Sequence, residues 1–170
     1  MYRAFITSGK IHASSSEAFS LHEKSRLGEK VNDRIEYSYL EALYLVAKKY
    51  MSVSDTKKQL SFETLLKKAM KDDKRTLVKF TLFKNLRDKG YIVKTALKFG
   101  ADFRIYRKGV KPGEDHALWI AYAVRESESH SWHDFAAKNR VAHSTKKKLL
   151  IGIVDDENDV TFYEINWVKP

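Results

Sequence analysis

The stretch GYIVKTALKFGADFRIY, residues 90–106, marks a change in the hydrophobic pattern of the chain. Apolar and polar residues alternate on both sides of Phe99-Gly100, which is typical of β-strands. Farther on, ALWIAYAV (117–124) and KLLIGIV (148–154) are continuous apolar runs, and VTFYEINWV (160–168) alternates again. The sequence therefore predicts a strand-rich C-terminal half, with a short helix between Ser131 and His143.

Before Gly90 the apolar residues recur at the 3.6-residue period of helices. The sequence predicts one helix over Tyr37–Tyr50, a second beginning at Ser61, and a third from Arg75 to Asp88, with Gly90 as its stop. Residues 1–36 show no clear period beyond short strands and turns. We expect two domains, 1–75 and 76–170.

The composition favours a polyanionic partner. The chain has 170 residues, with 32 Lys+Arg against 22 Asp+Glu, and so carries a formal charge of +10. Such an excess suits phosphate neutralisation, although it also occurs in basic proteins without nucleic acid. The absence of cysteine excludes disulfides and cysteine nucleophiles. With neither a signal-peptide pattern nor an apolar run of about 20 residues, we expect a cytoplasmic protein without membrane contact.

Candidate chemistry is centred on Tyr106 and His116. Antiparallel pairing across the loop RKGVKPGED would bring the end of one strand and the start of the next to the same end of a sheet. A tyrosine and a histidine there could act as base and acid if a cation lay nearby, and Lys146, Lys147 and Lys148 open a later strand. The same residues are also common at strand ends as purely structural groups.

Two other clusters leave alternatives open. His130 and His133 have the spacing of metal ligands on a helix, but no third ligand is evident nearby. The acidic turn VDDENDV, residues 154–160, lacks the pattern of an EF-hand. Its carboxylates Asp155, Asp156, Glu157 and Asp159 form either a solvated hairpin tip or a contact with a basic groove on another copy of the chain.

Together, GYIVKTALKFGADFRIYRKG, DHALW, RVAHSTKKKLLIGIVD and the closing NWVKP resemble the archaeal tRNA-splicing endonucleases. The resemblance also covers YLEALYLV and LSFETLLKKA. It implies an α/β fold in which a small mixed N-terminal domain precedes a nuclease-like domain with a central mixed β-sheet flanked by helices.

By position, the resemblance assigns three catalytic residues: Tyr106 as base or as the group that orients the 2′-hydroxyl, His116 as acid, and Lys147 as charge stabiliser. Lys148 is the weaker alternative to Lys147. It also assigns Arg140, and less directly Trp167, to contacts with a bulged base. For Trp167, packing at a dimer interface is the alternative role.

The resemblance further implies a reaction and an assembly. The family cleaves precursor tRNA at a bulge-helix-bulge without metal or cofactor, leaving a 2′,3′-cyclic phosphate and a 5′-hydroxyl. We expect a homotetramer in which the acidic turn docks on a neighbouring subunit and VTFYEINWV pairs within a dimer. The alternatives are a non-catalytic subunit of the same assembly and a metal-dependent nuclease.

Overall fold

The computed structural model describes residues 1–56, 58–110, 113, 115–168 and 170. The chain forms two compact units, Met1–Phe80 and Thr81–Pro170. Helix α4, Thr76–Asp88, carries residues of both. The predicted domain division after residue 75 therefore remains a prediction. None of the described helices combines the length and the apolar character that a bilayer span requires.

The first unit is built on a sheet that, in the described residues, has six strands in the order β3-β4-β2-β1-β5-β6. Strands β1 and β5 pair in parallel, and the other neighbours pair antiparallel. The strands are β1 (Tyr2–Thr7), β2 (Lys10–Ala13), β3 (Glu29–Val31), β4 (Arg34–Tyr37), β5 (Met51–Asp55) and β6 (Lys58–Gln59). The helices are α1 (Ser16–Ser25), α2 (Tyr39–Ala47) and α3 (Phe62–Asp72).

The buried Glu41 joins the start of α2 to the turn before β3. Its Oε2 accepts hydrogen bonds from Ser38 N and Oγ, and Ser38 Oγ accepts from Glu41 N, which completes a capping box. The other oxygen, Oε1, accepts from Gly28 N at 2.9 Å. One side chain therefore satisfies backbone donors from two separate segments.

The second unit is built on a five-stranded mixed sheet in the order β11-β10-β9-β8-β7, counted over the described residues. Strands β9 and β10 pair in parallel and the other neighbours antiparallel. This confirms the predicted α/β fold with its mixed C-terminal sheet. The strands are β7 (Ile92–Ala96), β8 (Ala101–Tyr106), β9 (Trp119–Arg125), β10 (Lys148–Val154) and β11 (Val160–Ile165), and helix α5 spans Trp132–Ser144.

The two faces of this sheet are covered by different helices. On one face Phe83 of α4 packs on Phe103, and a Cβ at Gly152 would collide with the buried Leu82. On the other face Ala142 of α5 packs with buried residues of β9 and β10, including Ile120 and Leu149. Phe103 and Gly152 therefore lie on the face of the sheet that α4 covers, and Ile120 and Leu149 lie on the face that α5 covers.

The local signals of sequence predicted the helices better than the strands. Helices α2 to α5 lie where they were predicted, and Ser61 and Ser131 are the N-caps of α3 and α5. Short strands were expected among residues 1–36, where β1 to β3 and most of β4 lie, but α1, β5 and β6 were not predicted. Within α5, Ala136 is exposed, whereas Ala142 supplies the buried contact.

We predict that Gly28→Ala destabilises the protein by about 2–5 kcal/mol. Gly28 has φ of +74°, and an added Cβ would collide with Ile35 and approach Glu36 O to 2.9 Å. Left-handed strain and overpacking would therefore add. The measurement is the free energy of unfolding in denaturant.

Gly9→Ala is the matched control, because Gly9 has φ of +77° with nothing within 4 Å of an added Cβ. It should cost only the backbone strain, about 1–2 kcal/mol. Equal losses for the two variants would show that the Gly28 contact with β4 does not constrain the fold.

Candidate active site

The register of the second sheet brings three segments together at one end. Ile105 is opposite Trp119, and Trp119 is in turn beside Lys148. Leu118 N donates to Ile105 O at 2.8 Å, and Lys148 N donates to Leu118 O at 3.2 Å. When this register is extended by one residue, Tyr106 lies beside Leu118 on one side and Lys147 lies beside it on the other. The three residues therefore form one row across the sheet.

Tyr106 is the last residue of β8, as predicted, and is only 4% exposed. It packs in a small apolar cluster with Ile92 and Ala117, and Val110 covers the cluster from one side. These contacts, together with the pairing of Tyr106 to Ile92, fix the ring at the strand end.

His116 is placed differently from the prediction. It was expected to begin the next strand, but β9 begins at Trp119, and His116 lies in the exposed segment before it. Its backbone N donates to Asp115 Oδ1 at 2.7 Å. Three residues of the preceding loop, 111, 112 and 114, lie outside the described residues. His116 directly precedes Ala117, which contacts Tyr106, so the segment itself is held against the site.

Lys147 is presented by a tight turn between α5 and β10. Lys146 has φ of +55°, Lys147 N donates to Ala142 O at 2.9 Å, and Lys147 Nζ donates to Thr145 O at 2.7 Å. Burial lowers the pKa of Lys147, and the nearby positive charge of Arg104 lowers it further. An anion bound close to Lys147 would raise the pKa of Lys147 and so oppose both effects.

The three consecutive lysines have different surroundings. Strand β10 begins at Lys148, so the expectation that all three lysines open the strand is wrong for Lys146 and Lys147. Lys148 Nζ forms an ion pair with Glu164 at 2.7 Å, and Glu164 also accepts from Trp119 Nε1. Lys147 Nζ instead bonds to Thr145 O, so Lys147 and Lys148 have different partners although both line the cavity described next.

A cavity of about 690 Å³ opens beside this turn. Its lining comes from the segment after His116, the last turn of α5 and the start of β10: Ala117, Leu118, His143, Ser144, Lys146, Lys147 and Lys148. The volume is typical of small-ligand sites. Three cations and no carboxylate line it among the described residues, which suits a phosphate.

Neither predicted base-binding residue is among the residues that line this cavity, but both lie near His143, which does line it. Arg140 is exposed on α5, three residues before His143. Trp167 is 57% exposed and lies just after β11, and its ring makes an edge-to-face contact with the ring of His143 at a centroid distance of 4.3 Å. Sequence reasoning missed His143 and Ser144. Their position three and four residues after Arg140, with only Thr145 between Ser144 and the lysines, was the available signal.

The acidic turn lies at the opposite end of β10, about 20 Å along a seven-residue strand. Asp155 Oδ1 accepts from Glu157 N at 3.0 Å and from Asp159 N at 2.8 Å, so this carboxylate shapes the turn itself. Oxygens of Asp155, Glu157 and Asp159 lie within 4.8 Å of one another. The outer carboxylates Asp156, Glu157 and Asp159 remain exposed.

The histidine pair of the sequence does not converge on this site. His130 lies ahead of α5 with Nε2 3.5 Å from Glu128 Oε2, and His133 is exposed in the first turn of α5. Both are at the end of α5 opposite His143 and Ser144.

Comparison with known proteins agrees with the fold of both units. Residues 2–66 match the family profile described as tRNA intron endonuclease, N-terminal domain, and residues 76–162 match tRNA intron endonuclease, catalytic C-terminal domain.

Three curated relatives bear the name tRNA-splicing endonuclease. One from Nanoarchaeum equitans is 46% identical over 146 residues, covering 82% of this chain and 93% of the relative. One from Thermococcus onnurineus is 42% identical, covering 88% and 85%. One from Pyrococcus abyssi is 37% identical over 166 residues, covering 97% and 95%. With both domains matched in order and relatives aligned over nearly its whole length, the chain belongs to the tRNA intron endonuclease family.

Proposed function

We propose that this chain cleaves precursor tRNA at its intron boundaries, in a bulge-helix-bulge, as an endonuclease of the cytoplasm. The observation that supports the proposal is the cationic cavity beside Lys147, because Ala117 lines this cavity and also packs against the buried Tyr106. His116, Tyr106 and Lys147 are thus gathered at one end of one sheet, in a chain whose relatives are named tRNA-splicing endonucleases.

The chemistry needs no group beyond these side chains and the RNA. The ribose 2′-oxygen attacks the adjacent phosphorus, and the 2′-hydroxyl proton passes to Tyr106 as the phenolate or, where Tyr106 only orients the hydroxyl, to water. The bond from phosphorus to the 5′-oxygen breaks, and His116 protonates that oxygen. Lys147 stabilises the additional negative charge of the pentacoordinate phosphorane. The products are a 2′,3′-cyclic phosphate and a 5′-hydroxyl.

The three residues differ in how firmly the fold holds them. Tyr106 is fixed by apolar packing and Lys147 by the hydrogen bonds of its turn. His116 is exposed, as a group that meets the leaving oxygen of a bound substrate must be. Arg140 and Trp167 lie near His143, which lines the cavity, and would contact an unpaired base.

For the assembly we propose a homotetramer built as a dimer of dimers, because two splice sites require two active sites at a fixed separation. A second cavity, of about 540 Å³, supports pairing through the α5 face of the last two strands. Its floor includes Ile151, Ile153 and Ile165, and its rim includes the exposed Trp132 and Tyr163. Such an apolar surface suits burial by a second copy.

We predict that His116→Ala slows cleavage about 10²–10⁴-fold, the usual contribution of acid–base catalysis. RNA affinity should stay nearly unchanged, because the cationic lining of the cavity is intact. The measurement is the single-turnover cleavage rate of a precursor tRNA with a bulge-helix-bulge intron, followed by identification of both new ends. The control is His133→Ala, on the exposed surface of α5, which should cleave at the normal rate; a normal rate for His116→Ala would remove His116 from the mechanism.

Cleavage should persist in excess EDTA when a monovalent salt and a polyamine keep the RNA folded. The reason is that the protein itself supplies every group of the proposed reaction. His116 is the acid, Tyr106 is the base or the orienting group, and Lys147 provides the positive charge. The measurement is the cleavage rate with and without EDTA, with RNA structure probed in parallel. If activity disappeared on folded RNA and returned only with Mg²⁺, a metal-dependent nuclease would be the better description.

Neutralising the outer carboxylates should split the tetramer into dimers. The variant combines Asp156→Asn, Glu157→Gln and Asp159→Asn and keeps Asp155, whose carboxylate holds the turn. Each exposed ion pair contributes only about 0–1 kcal/mol, but several pairs repeated by symmetry add. Sedimentation velocity measures the effect, and rising salt should produce a milder form of it in the unmodified protein.

The matched control removes the same charge from exposed positions in the first unit, through Glu17→Gln, Glu29→Gln and Glu63→Gln. It should remain tetrameric. A tetramer unchanged by the variant in the acidic turn would show that this turn is only a solvated hairpin tip.

A further inference from the structure

An aromatic contact joins the end of α5 to the segment that follows β11. The rings of His143 and Trp167 have centroids 4.3 Å apart and planes 78° apart, an edge-to-face arrangement. Aromatic pairs favour this geometry because the positive ring edge meets the negative ring face. The two residues are far apart in sequence, so the contact is made only in the folded second unit.

The contact leaves much of the indole open. Trp167 is 57% exposed although it packs against His143. A tryptophan buried only for stability would have more of its surface covered. The open surface of an otherwise held ring is the usual form of a stacking platform for a nucleobase.

His143 also belongs to the cationic cavity. It lines that cavity together with Lys147. Its carbonyl oxygen accepts from Lys146 N at 2.9 Å, so the same residue is part of the turn that presents Lys147. His143 therefore links the indole of Trp167 to the turn that carries the proposed phosphate-stabilising lysine.

From this geometry we propose that His143 is a positioning residue. It holds the ring of Trp167 next to a wall of the cavity, so that the open surface of the indole stacks on an unpaired base of the RNA while a nearby phosphate lies at Lys147. The proposal rests on the proposed function, since it assumes that RNA is the ligand. It assigns to His143 a role that acts through Trp167 and not through the reacting atoms.

The test is a double-mutant cycle on RNA affinity. We expect Trp167→Ala to weaken binding of the intron-containing RNA about 5- to 150-fold, the usual effect of losing a base–aromatic stack. His143→Ala should weaken it about 2- to 12-fold, the loss expected for one aromatic pair. The double variant should bind as weakly as Trp167→Ala alone, because His143 has no ring left to position. His143→Phe, which restores a ring edge, should recover most of the affinity.

A second measurement needs no RNA. In protein labelled with 5-fluorotryptophan, the resonance that disappears in Trp167→Phe belongs to Trp167. It should shift in His143→Ala and stay near its original position in the control His133→Ala, on the same helix. An unchanged resonance in His143→Ala would overturn the positioning role in the free protein.

The outcomes separate this inference from the proposed function. If the unmodified protein did not cleave precursor tRNA, the proposed function would fail while the fluorine resonance still tested the contact. If it cleaved normally but His143→Ala bound RNA as well as the unmodified protein, the inference alone would fail. The inference would also fail if His143→Ala weakened RNA binding by its full factor in the Trp167→Ala background. A third contrary result would be that Trp167→Ala alters sedimentation and leaves RNA affinity unchanged, because Trp167 would then belong to subunit packing.

Discussion

The site depends on the parallel pairing of β9 with β10. This ladder sets Lys148 beside Trp119, and so sets Lys147 beside Leu118, whose backbone N is bonded to the strand that ends in Tyr106. A shift of one residue would exchange the strand residues that face α4 with those that face α5, because side chains alternate along a strand. Parallel strands also need a long crossover. Here the crossover contains α5, which delivers Arg140 and His143 to the same end of the sheet.

The two faces of the sheet are closed to different extents. On the α4 face, Gly152 gives Leu82 room to approach the backbone, and Lys148 is neutralised by Glu164. On the α5 face the helix ends at Ser144, before the strands do, and the cavity opens beyond its last turn. The lysine on the covered face has an acidic partner, whereas Lys147 bonds only to a carbonyl oxygen among the described residues, which leaves its charge available to an anion.

The sequence predicted the features that depend on neighbouring residues, namely most helices and the strand end at Tyr106. The period and the serine caps located α2, α3 and α5, and the motifs located Tyr106 at a strand end. Strand β5 was missed because it is short and its pairing is long-range: its first residue, Met51, pairs with Tyr2, and the strand has only five residues. The contact between His143 and Trp167 was missed for the same reason, since neither residue lies in a pattern that points to the other.

The geometry also bears on how the proposed catalytic residues divide their work. Tyr106 and Lys147 are held by packing and backbone hydrogen bonds before any substrate arrives, so they define where the reacting phosphate and the 2′-hydroxyl can lie. His116 belongs to a segment that is anchored by Ala117 but leaves the imidazole exposed. If His116 is the acid, as proposed, it is the catalytic residue whose position depends most on the bound RNA. A base stacked on Trp167 would fix the RNA backbone relative to Lys147, and through it relative to His116.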